Sequence, residues 1–598
     1  MRKNFEKNIF GVTAATLLAA VCGTGTAQSQ EAITGAPLDV SSVRGGPASA
    51  GAARQVILRD LPTITAANPG PVKKAWRPKT VFSASQLAAI KAQAALPGAN
   101  PAATTLSGEP TPPSDGITPN TPGASISFEG DAEFELCSGW TPADQALAVG
   151  DGPSPVLQGV NQCLSVWSIS GSRLLGPKNL YDFFNLPSGT FMSDPRALYD
   201  FYNHRFIVTA LDSDSGNSNN YDIAVSASDD PTGGWYTWRL SVPSASRALP
   251  DYPRVGQDRA ATYPIGSGTA YPGAIYLASN LFSNDTGHFL NEEWLILPKA
   301  AMYNGQGFSF WYIFNTQWDG HPTDTTQPVN VWSPYDNPRA EYLIGSRNFF
   351  CSSGCNGLAV WAISNPFGFV SGGPSPELSA YVLGTGNNYS QPPNATQPGG
   401  ANTIDSGDLR ISGEATYLSG SIYAAIAPSN GAGGVQSILY RVQPSLNAND
   451  SRCTGSYTNL CPQVTGARML NETVLNYGGT KSAFYPVQQP DLEGNVTTVF
   501  SYSTTAYYPS LAYISQRASQ TPATFADNGI FLATGQAYYS QGRWGDYNAV
   551  APAGVAYLPG DGHVPVTPGM AFSGMYAGGS NNWRTRIGYS KFTSAAQP

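Results

Sequence analysis

Short runs of alternating apolar and polar residues, separated by Gly, Asn, Asp and Pro, dominate the sequence from about residue 124 onward. Clear examples are residues 205–211, 274–278 and 357–363. This alternation is typical of antiparallel strands and hairpins. Roughly 450 residues of short strands without a clear helical pattern are too many for an ordinary single sandwich. The sequence therefore predicts an all-β fold, built either as several sandwiches or as one radial repeat.

A weak repeat favours the radial arrangement, a single β-propeller. Similar strand openings recur about 50 to 80 residues apart, and each interval has room for four strands and a loop, which make one blade. The openings begin at Asp144, Asp194, Asp251, Gln327, Asp408, Tyr485 and Gly545. We expect seven four-stranded blades, or six if one opening is misread, with a strand near residues 124–133 completing the last blade. The alternative is that Asp and Pro precede strands in any all-β protein because they form turns.

The N-terminus predicts export. Basic residues near the start precede an apolar run at residues 9–21, and small residues then lead to Ala27, which is the pattern of a secretory signal peptide cut after that alanine. Lipidation at Cys22 is the alternative. No later segment is continuously apolar enough to span a membrane. We therefore expect a secreted protein, extracellular or periplasmic, and a monomer.

Residues 28–125 differ from the rest of the chain. They are rich in Ala, Pro, Gly, Thr and Ser and show little periodicity, so they cannot bury enough apolar surface to fold alone. Their one predicted helix runs from Ser85 to Leu96, with Ser83 or Ser85 as N-cap and Pro97 as its stop. The predicted organisation is a signal peptide (1–27), a linker or pro-segment that drapes over the main domain (28–125), and a propeller (126–598).

The charge of the chain disfavours two classes of binding partner, and its cysteine count predicts disulfides. Charged residues make up only 12% of the chain and the net charge is −8, which disfavours nucleic acid and anionic membranes as partners. Six cysteines remain after the signal peptide, an even number that suggests disulfides in an exported chain. The close pairs are Cys351/Cys355 and Cys453/Cys461, which leaves Cys137 with Cys163.

Several phrases resemble secreted β-propeller proteins of the sialidase-like kind, many of which have no assigned activity. These phrases lie at residues 193–206, 251–254, 500–510 and 543–547. The resemblance implies the propeller fold over roughly residues 138–591, without implying a reaction. The Asp-box turn of sialidases is present only as a degenerate version at residues 228–235, which argues against sialidase activity itself.

The strand openings also predict a site, because the first strand of each propeller blade lines the central channel. Aspartates would then converge on one funnel with arginines between them, at Asp144, Asp194, Asp251, Asp408 and Asp546 and at Arg196, Arg254, Arg410 and Arg543. Clustered carboxylates raise one another's pKa while guanidinium groups lower it, so one acid can stay protonated beside an ionised base or nucleophile. Glycoside cleavage needs that combination. Arginine forks would suit an acidic sugar.

We therefore predict that the funnel recognises, and as an enzyme cleaves, an extracellular carbohydrate by hydrolysis or as a polysaccharide lyase. The candidate catalytic residues are Asp194, Asp251 and Asp546. The candidate substrate-binding residues are Arg196, Arg254, Arg410, Arg543, Tyr252 and Tyr547, and Tyr199 and Tyr502 are further candidates for stacking on sugar rings. The structural alternative is that each aspartate only caps a turn or pairs with a neighbouring arginine.

Two other hypotheses stay open. One is a non-catalytic surface or matrix module that binds protein or glycan through its loops, above all the long loop at residues 371–407. The other concerns cofactors: none is expected, except that Asp212 and Asp214 lie in an acidic loop that would suit Ca²⁺. A solvated hairpin explains that loop equally well. The four histidines show no metal-binding spacing.

Overall fold

Among the residues that the computed structural model describes, seven groups of four antiparallel strands form the main body, and they are named sheets 1 to 7; parallel bridges between first strands link sheets 3, 4 and 5. The model describes residues 35–65, 83–96, 105–112, 121–133, 137, 141–151, 154–187, 189–214, 218–259, 261–262, 270–271, 273–348, 351, 354–367, 375–447, 462–520, 524–557, 563–579 and 582–592. The predicted signal peptide and the pair Cys453/Cys461 lie outside these residues. The prediction of an all-β fold is confirmed.

The first three sheets follow one another along the chain, and in each the four strands pair in sequence order. Sheet 1 contains the strands Gln145–Val149, Val156–Val160, Cys163–Trp167 and Arg173–Asn179. Sheet 2 contains the strands Phe191–Asp200, Arg205–Ser213, Asn219–Ser226 and Gly234–Ser241. Sheet 3 contains the strands Ala248–Gln257, Ala274–Ser283, Phe289–Pro298 and Phe308–Phe314.

The next three sheets repeat this plan. Sheet 4 contains the strands Gln327–Asn330, Glu341–Ser346, Leu358–Ser364 and Glu377–Leu383. Sheet 5 contains the strands Ala415–Leu418, Ser421–Ile426, Ser437–Leu446 and Val464–Leu475. Sheet 6 contains the strands Ser482–Pro490, Val496–Ser503, Ser510–Gln516 and Ile530–Ala533.

Sheet 7 combines three strands that follow sheet 6 with one strand that precedes sheet 1. Its strands Ala549–Tyr557, His563–Gly579 and Asn582–Ser590 are followed in space by Ile126–Ala132, which pairs antiparallel with Asn582–Ser590. The prediction that a strand near residues 124–133 pairs with the last strands of the chain is confirmed. Such a closing strand removes a free sheet edge.

The first strands lie side by side in a closed order. The first strand of each sheet contacts the first strand of the next, and that of sheet 7 contacts that of sheet 1. Neighbouring sheets also share buried apolar clusters, for example Leu157 and Leu164 of sheet 1 with Phe206 and Trp235 of sheet 2. Facing sheets thus bury one another's apolar side chains, as in stacked β-sheets generally.

The N-terminal segment packs on this ring. The strands Ala36–Pro37, Arg44–Ala50 and Arg54–Ile57 pair antiparallel with the last strands of sheets 4, 3 and 2 respectively. The segment therefore covers exposed sheet edges, which would otherwise be free to pair with other chains. The prediction that it drapes over the main domain agrees with these pairings.

Helices are short. Helix α1 (Ala84–Ala94) begins at Ser83, whose side chain accepts a hydrogen bond from Gln86 N in a capping box, so the predicted helix and N-cap are confirmed. Helix α2 is Leu180–Phe184, α3 is Lys299–Met302, and Leu58–Asp60 forms one 3₁₀ turn. Three two-stranded ribbons complete the structure, Ala261–Thr262 with Ala270–Tyr271, Gln317–Trp318 with His321–Pro322, and Ala395–Gln397 with Gly400–Ile404. In the described part of the chain, no helix is long and apolar enough to cross a membrane.

Two predicted strand openings lie earlier than the strands themselves. The first strand of sheet 5 begins at Ala415 rather than at Asp408, and that of sheet 7 begins at Ala549 rather than at Gly545. At Asp408 the reason is local, because its carboxylate accepts a hydrogen bond from Arg410 N and holds the backbone in a turn.

Two of the three expected disulfides fall within the described residues. Cys137 is bonded to Cys163 and Cys351 to Cys355. The first was predicted as the remaining pair and the second from its close spacing, and both fit an oxidising, extracellular environment.

Candidate functional site

The entry ends of the first strands surround a cavity of about 300 Å³. Sixteen residues line it: Leu87, Thr141, Pro142, Asp144, Ser193, Asp194, Asp251, Tyr252, Asp405, Gly407, Asp408, Arg410, Tyr485, Gln541, Arg543 and Asp546. The three predicted catalytic aspartates, Asp194, Asp251 and Asp546, are thus brought together from three different sheets. A polar cavity with convergent charged groups is the usual form of a ligand site.

The backbone is unusual where it reaches the cavity. Asp144, Asp194, Tyr252 and Tyr485 all have left-handed φ angles, between 33° and 57°. Residues other than glycine rarely adopt this conformation, and where they do it costs free energy and tends to mark functional sites. In three of the four positions proline follows and the strand ladder shifts at a bulge. The repeated bulge lies where each of these three strands contributes side chains to the cavity wall.

Three carboxyl groups on one side of the cavity are bonded to none of the arginines that the structure describes. Burial, together with the neighbouring charges of Asp546 and Asp194, holds the pKa of Asp144 well above its ordinary value. Burial and the charge of Asp194 do the same for the pKa of Asp251. The pKa of Asp194 is also raised, mainly by burial. These carboxyls therefore favour the protonated form.

Hydrogen-bond geometry supports a proton on Asp194. Ser193 Oγ lies 2.6 Å from Asp194 Oδ1 and 3.0 Å from Asn161 Oδ1. The amide nitrogen of Asn161 faces Pro142 O and Asp144 Oδ2, which fixes its oxygen towards Ser193. A hydroxyl carries one hydrogen and can satisfy only one of two acceptors. Both contacts are made when Ser193 donates to Asn161 and a protonated Asp194 donates to Ser193.

The opposite side of the cavity carries carboxylates bonded to arginine. Arg410 binds Asp408 through two 2.6 Å contacts, and Arg543 binds Asp546 through two 2.5 Å contacts. Although burial alone would raise it, the bonded Arg410 holds the pKa of Asp408 below its ordinary value. Bidentate pairs of this kind are strong and geometrically fixed.

Asp405 is a further carboxylate on this side, and the sequence analysis missed it. Its Oδ1 lies 3.4 Å from Lys91 Nζ of helix α1, and its Oδ2 lies 3.4 Å from Arg543. Burial would raise its pKa, but Lys91 and Arg543 together lower it. The only hint in the sequence is its position three residues before Asp408 in a polar loop.

Tyr252 lines the cavity as predicted, while Arg196 and Tyr547 lie beneath it. The Arg196 guanidinium lies 3.3 Å from the centre of the Tyr547 ring and 5.0 Å from that of Tyr252. Arg196 also donates to Ser412 O, and Tyr547 donates to Pro195 O. The two residues are buried and support the Tyr252 ring from below, so neither presents a free group to a ligand in the cavity.

Arg254 does not reach the cavity. It is fully buried, pairs with Glu292 at 2.5 Å and donates to Thr326 O at 2.9 Å. Glu292 in turn accepts hydrogen bonds from Thr326 N and Oγ1. This satisfied internal pair gives Arg254 a structural role within and beside sheet 3. Tyr199 and Tyr502 are likewise buried, bonded to Asp151 and Glu109.

Tyr485 is another lining residue that sequence reasoning did not predict as a site residue. Its hydroxyl lies 3.4 Å from Asp546 Oδ1. The signal was present in the sequence, because Tyr485-Pro486 matches Tyr252-Pro253 and Asp194-Pro195. All three dipeptides produce the same left-handed residue and bulge.

Asp212 and Asp214, the predicted calcium ligands, are hydrogen-bonded to other residues of the protein. Both carboxylate oxygens of Asp212 bind Arg239, at 2.7 and 2.8 Å, and Asp214 accepts a hydrogen bond from Ser218 N across its hairpin. Arg239 supplies the positive charge that Ca²⁺ would bring. Among the residues that the model describes, no group of three or more His, Cys, Asp or Glu could hold a metal ion.

The long loop proposed as a partner surface packs largely inside the molecule. Tyr389, Gln391, Thr396 and Gln397 are buried. Further along, the same loop contributes Asp405 and Gly407 to the cavity wall. In its described part the loop therefore builds the cavity more than it presents an outer surface.

The degenerate Asp-box forms a structural turn. Asp230 accepts hydrogen bonds from Thr232 N and Oγ1, and the Trp235 indole donates to Pro231 O. The turn joins the third and fourth strands of sheet 2, and none of these residues lines the cavity.

No protein-family model matches the sequence, whether sialidase-like or other, and no curated protein is similar to it. Similar solved structures include an exo-β-1,3-galactanase from Phanerochaete chrysosporium with galactose, at 11% identity and a TM-score of 0.27, over 78% of this chain and 98% of that chain. A GH43_1 enzyme from Xanthomonas citri complexed with xylose has 11% identity and a TM-score of 0.23, over 86% and 95%. A xylan β-1,4-xylosidase from Bacillus halodurans has 10% identity and a TM-score of 0.26, over 76% and 95%. Likeness at this level defines neither a common fold nor a common reaction.

Proposed function

We propose that this chain is a secreted seven-bladed β-propeller that binds a carbohydrate in its central cavity and hydrolyses a glycosidic bond there. One observation carries the proposal: Asp251 and Asp194, whose pKa values burial raises, share a single cavity with Asp408, whose pKa the bonded Arg410 lowers. Carboxyl groups whose pKa values are pushed apart are the usual acid and base of glycoside cleavage.

The seven four-stranded sheets and the closed order of their first strands support the blade count. In such a ring every first strand starts at the same mouth, which is where the aspartates converge. The two disulfides support export.

Asp251 is the candidate general acid. Its pKa is raised by burial and by Asp194, and no hydrogen bond to its carboxyl is present among the described residues. A protonated carboxyl that faces the cavity and is free of partners can give its proton to the glycosidic oxygen as the bond breaks.

Asp546 is the candidate for the second carboxylate. Arg543 fixes its orientation through two hydrogen bonds, and Asp144 accepts a 2.7 Å hydrogen bond from Asp546 N. In this position the carboxylate stabilises the positive charge that develops at the anomeric carbon, by attacking that carbon or by activating water. Asp194, beside Asp251, keeps the pKa of the acid high.

The charges of the cavity favour hydrolysis over the other predicted chemistries. A lyase acts beside a sugar carboxylate, which must be neutralised, yet both arginines of the cavity are already bonded to aspartates. The non-catalytic module depends on an exposed long loop, and the described part of that loop is largely buried. Hydrolysis of a sugar without a carboxylate fits the site best.

The test is release of new reducing ends from a panel of neutral, basic and acidic polysaccharides. We expect the wild-type protein to release oligosaccharides from one class, and Asp251→Asn to release about a hundredfold less or lower still. Asp285→Asn, at an exposed ion pair with Arg247, is the matched control and retains activity. If no member of the panel is cleaved by folded wild-type protein, the proposal is wrong.

A further inference from the structure

We propose that the carbohydrate bound in the cavity carries an ammonium group, and that the Lys91 ammonium stands in for that group in this structure. The inference rests on the proposed function and names the class of substrate, a saccharide that contains unacetylated amino sugars.

The first observation is the imbalance of charge in the cavity. Six of the sixteen lining residues are aspartates and only two are arginines. Each arginine already binds an aspartate through two hydrogen bonds. Asp144, Asp194 and Asp251 remain without a bonded cation among the described residues, and their burial and mutual repulsion raise their pKa values. With six aspartates against two arginines, the lining attracts a cation more than an anion.

The second observation is independent of the first, because it concerns a group that already binds there. Helix α1 belongs to the N-terminal segment and lies at the cavity, with Leu87 in the lining. Its Lys91 Nζ donates to Gly407 O at 2.7 Å and lies 3.4 Å from Asp405 Oδ1. The Lys91 side chain is only 10% exposed. The chain's own ammonium therefore occupies the rim, between a carboxylate and a carbonyl oxygen.

Other substrate charges fit less well. A sugar carboxylate would meet Asp405 and Asp408, whose lowered pKa values favour the ionised form, and the arginines of the lining are already bonded to aspartates; like charges at a desolvated contact are strongly unfavourable. A neutral sugar carries no charge to pair with the Asp405 carboxylate. An ammonium can replace Lys91 at Asp405, where a charge-assisted hydrogen bond forms.

The experiment is calorimetric titration of the full chain with three oligosaccharides of equal length. The probes are β-1,4-linked glucosamine, its fully N-acetylated counterpart, and a galacturonic acid oligomer. We expect the glucosamine oligomer to bind about tenfold more tightly than the acetylated one, and the acidic oligomer to bind least. The preference should shrink at high salt, because added ions screen the attraction.

Two variants sharpen the test. Lys91→Ala removes the internal ammonium and should raise affinity for the glucosamine oligomer several-fold. Lys481→Ala is the matched control, since it removes another lysine that pairs with the N-terminal segment, at Glu109 and outside the cavity lining. The control should leave affinity unchanged. Melting temperatures establish that each variant is folded, and the comparison of the three ligands on wild-type protein needs no variant.

The outcomes separate the two proposals. Equal binding of the acetylated and unacetylated oligomers, or tighter binding of the acidic one, overturns the ammonium inference, and the proposed hydrolase stands if any glycosidic bond in the polysaccharide panel is cleaved. Binding of the glucosamine oligomer without cleavage supports the inference and overturns hydrolysis. No binding of any saccharide overturns both.

Discussion

The two sides of the cavity use aspartate in different ways. On the side of sheets 1 to 3, no arginine within the described part of the chain is bonded to Asp144, Asp194 or Asp251. On the side of sheets 5 to 7, Asp408 and Asp546 are each bonded twice to an arginine. We call these the unpaired and the paired side. The pKa of Asp408 is thus lowered while those of the three aspartates on the unpaired side are raised, because the position of the arginine differs.

The position of the arginine follows from the backbone. Asp194-Pro195-Arg196 and Asp408-Leu409-Arg410 look alike in sequence. At Asp194 a left-handed residue and a bulge leave the arginine buried beneath the cavity, stacked on Tyr547. At Asp408 a turn brings the arginine back onto the aspartate. The bulge therefore leaves the Asp194 carboxyl away from its neighbouring arginine, whereas the turn makes Asp408 part of an ion pair.

The largest expected effect is on catalysis from the unpaired side. Asp251→Asn removes the candidate proton donor, so the rate of glycoside cleavage should fall about 10²- to 10⁴-fold. Steady-state kinetics on the substrate found in the polysaccharide panel measures this. The folded state should be no less stable than wild type, because the substitution removes a repelled carboxyl. A loss of folding in place of a loss of rate would contradict the assignment.

On the paired side the largest effect should be on stability. Arg410→Met leaves Asp408 buried without its counter-charge, which should lower the free energy of unfolding by about 3 kcal/mol. Chemical denaturation measures the change. Asp408→Leu with Arg410→Met removes both charges and should recover part of the loss. If the single variant is as stable as wild type, the ion pair does not hold the paired side in place.

Much of the fold was predictable from sequence, because strand alternation and turn residues are local signals. The openings at Asp144, Asp194, Asp251, Gln327 and Tyr485 correspond to first strands, and the closing strand near residues 124–133 pairs as expected. The openings at Asp408 and Gly545 were placed too early, because a polar turn before a strand resembles the strand's own start.

The candidate site was predictable only in part. The convergence of Asp194, Asp251 and Asp546 followed from the repeat. The burial of Arg196 and Arg254 did not, because bulges change which face of a strand a residue occupies, and no sequence pattern marks a bulge reliably. Asp405 and Lys91 come from segments without repeat and meet only through tertiary packing.

The pH dependence of stability should have opposite signs on the two sides. In the unfolded chain an aspartate releases its proton at about pH 3.9, whereas Asp251 in the folded protein keeps its proton to a higher pH. The contribution of Asp251 to the free energy of unfolding therefore falls as pH rises from about 3.9 towards its folded pKa. Each unit by which the folded pKa exceeds the unfolded pKa changes the free energy of unfolding by about 1.4 kcal/mol over that pH range. Melting temperatures of Asp251→Asn and wild type should therefore diverge in favour of the variant as pH rises from about 4 to 7.

Asp408→Asn is the comparison for that experiment. The folded pKa of Asp408 is lowered, so its stabilising contribution is full above about pH 3.9 and is lost as pH falls through the folded value. The variant should be less stable than wild type at neutral pH and approach it in acid. Parallel curves for both variants would contradict the distinction between the two sides.

The smallest effect should come from an ion pair on the outer surface. Arg59 and Asp230 lie 3.1 Å apart, but both side chains are about half exposed. Asp230→Asn keeps an oxygen for the turn at Thr232, and should change stability by about 0.5 kcal/mol or less. Thermal denaturation beside Arg410→Met measures the difference between exposed and cavity pairs. A loss of stability as large as that of Arg410→Met would contradict the claim that ion pairs at the cavity stabilise the fold more than exposed ones.

The opposite protonation of the two sides is tested most directly by infrared difference spectroscopy near pH 5.5, above the ordinary aspartate pKa of about 3.9. Wild type minus Asp251→Asn should show the band of a protonated carboxyl group. Wild type minus Asp408→Asn should show the bands of an ionised carboxylate. Carboxylate bands in both difference spectra would mean that Asp251 holds no proton to donate, and would contradict the assignment of the unpaired side as the source of the general acid.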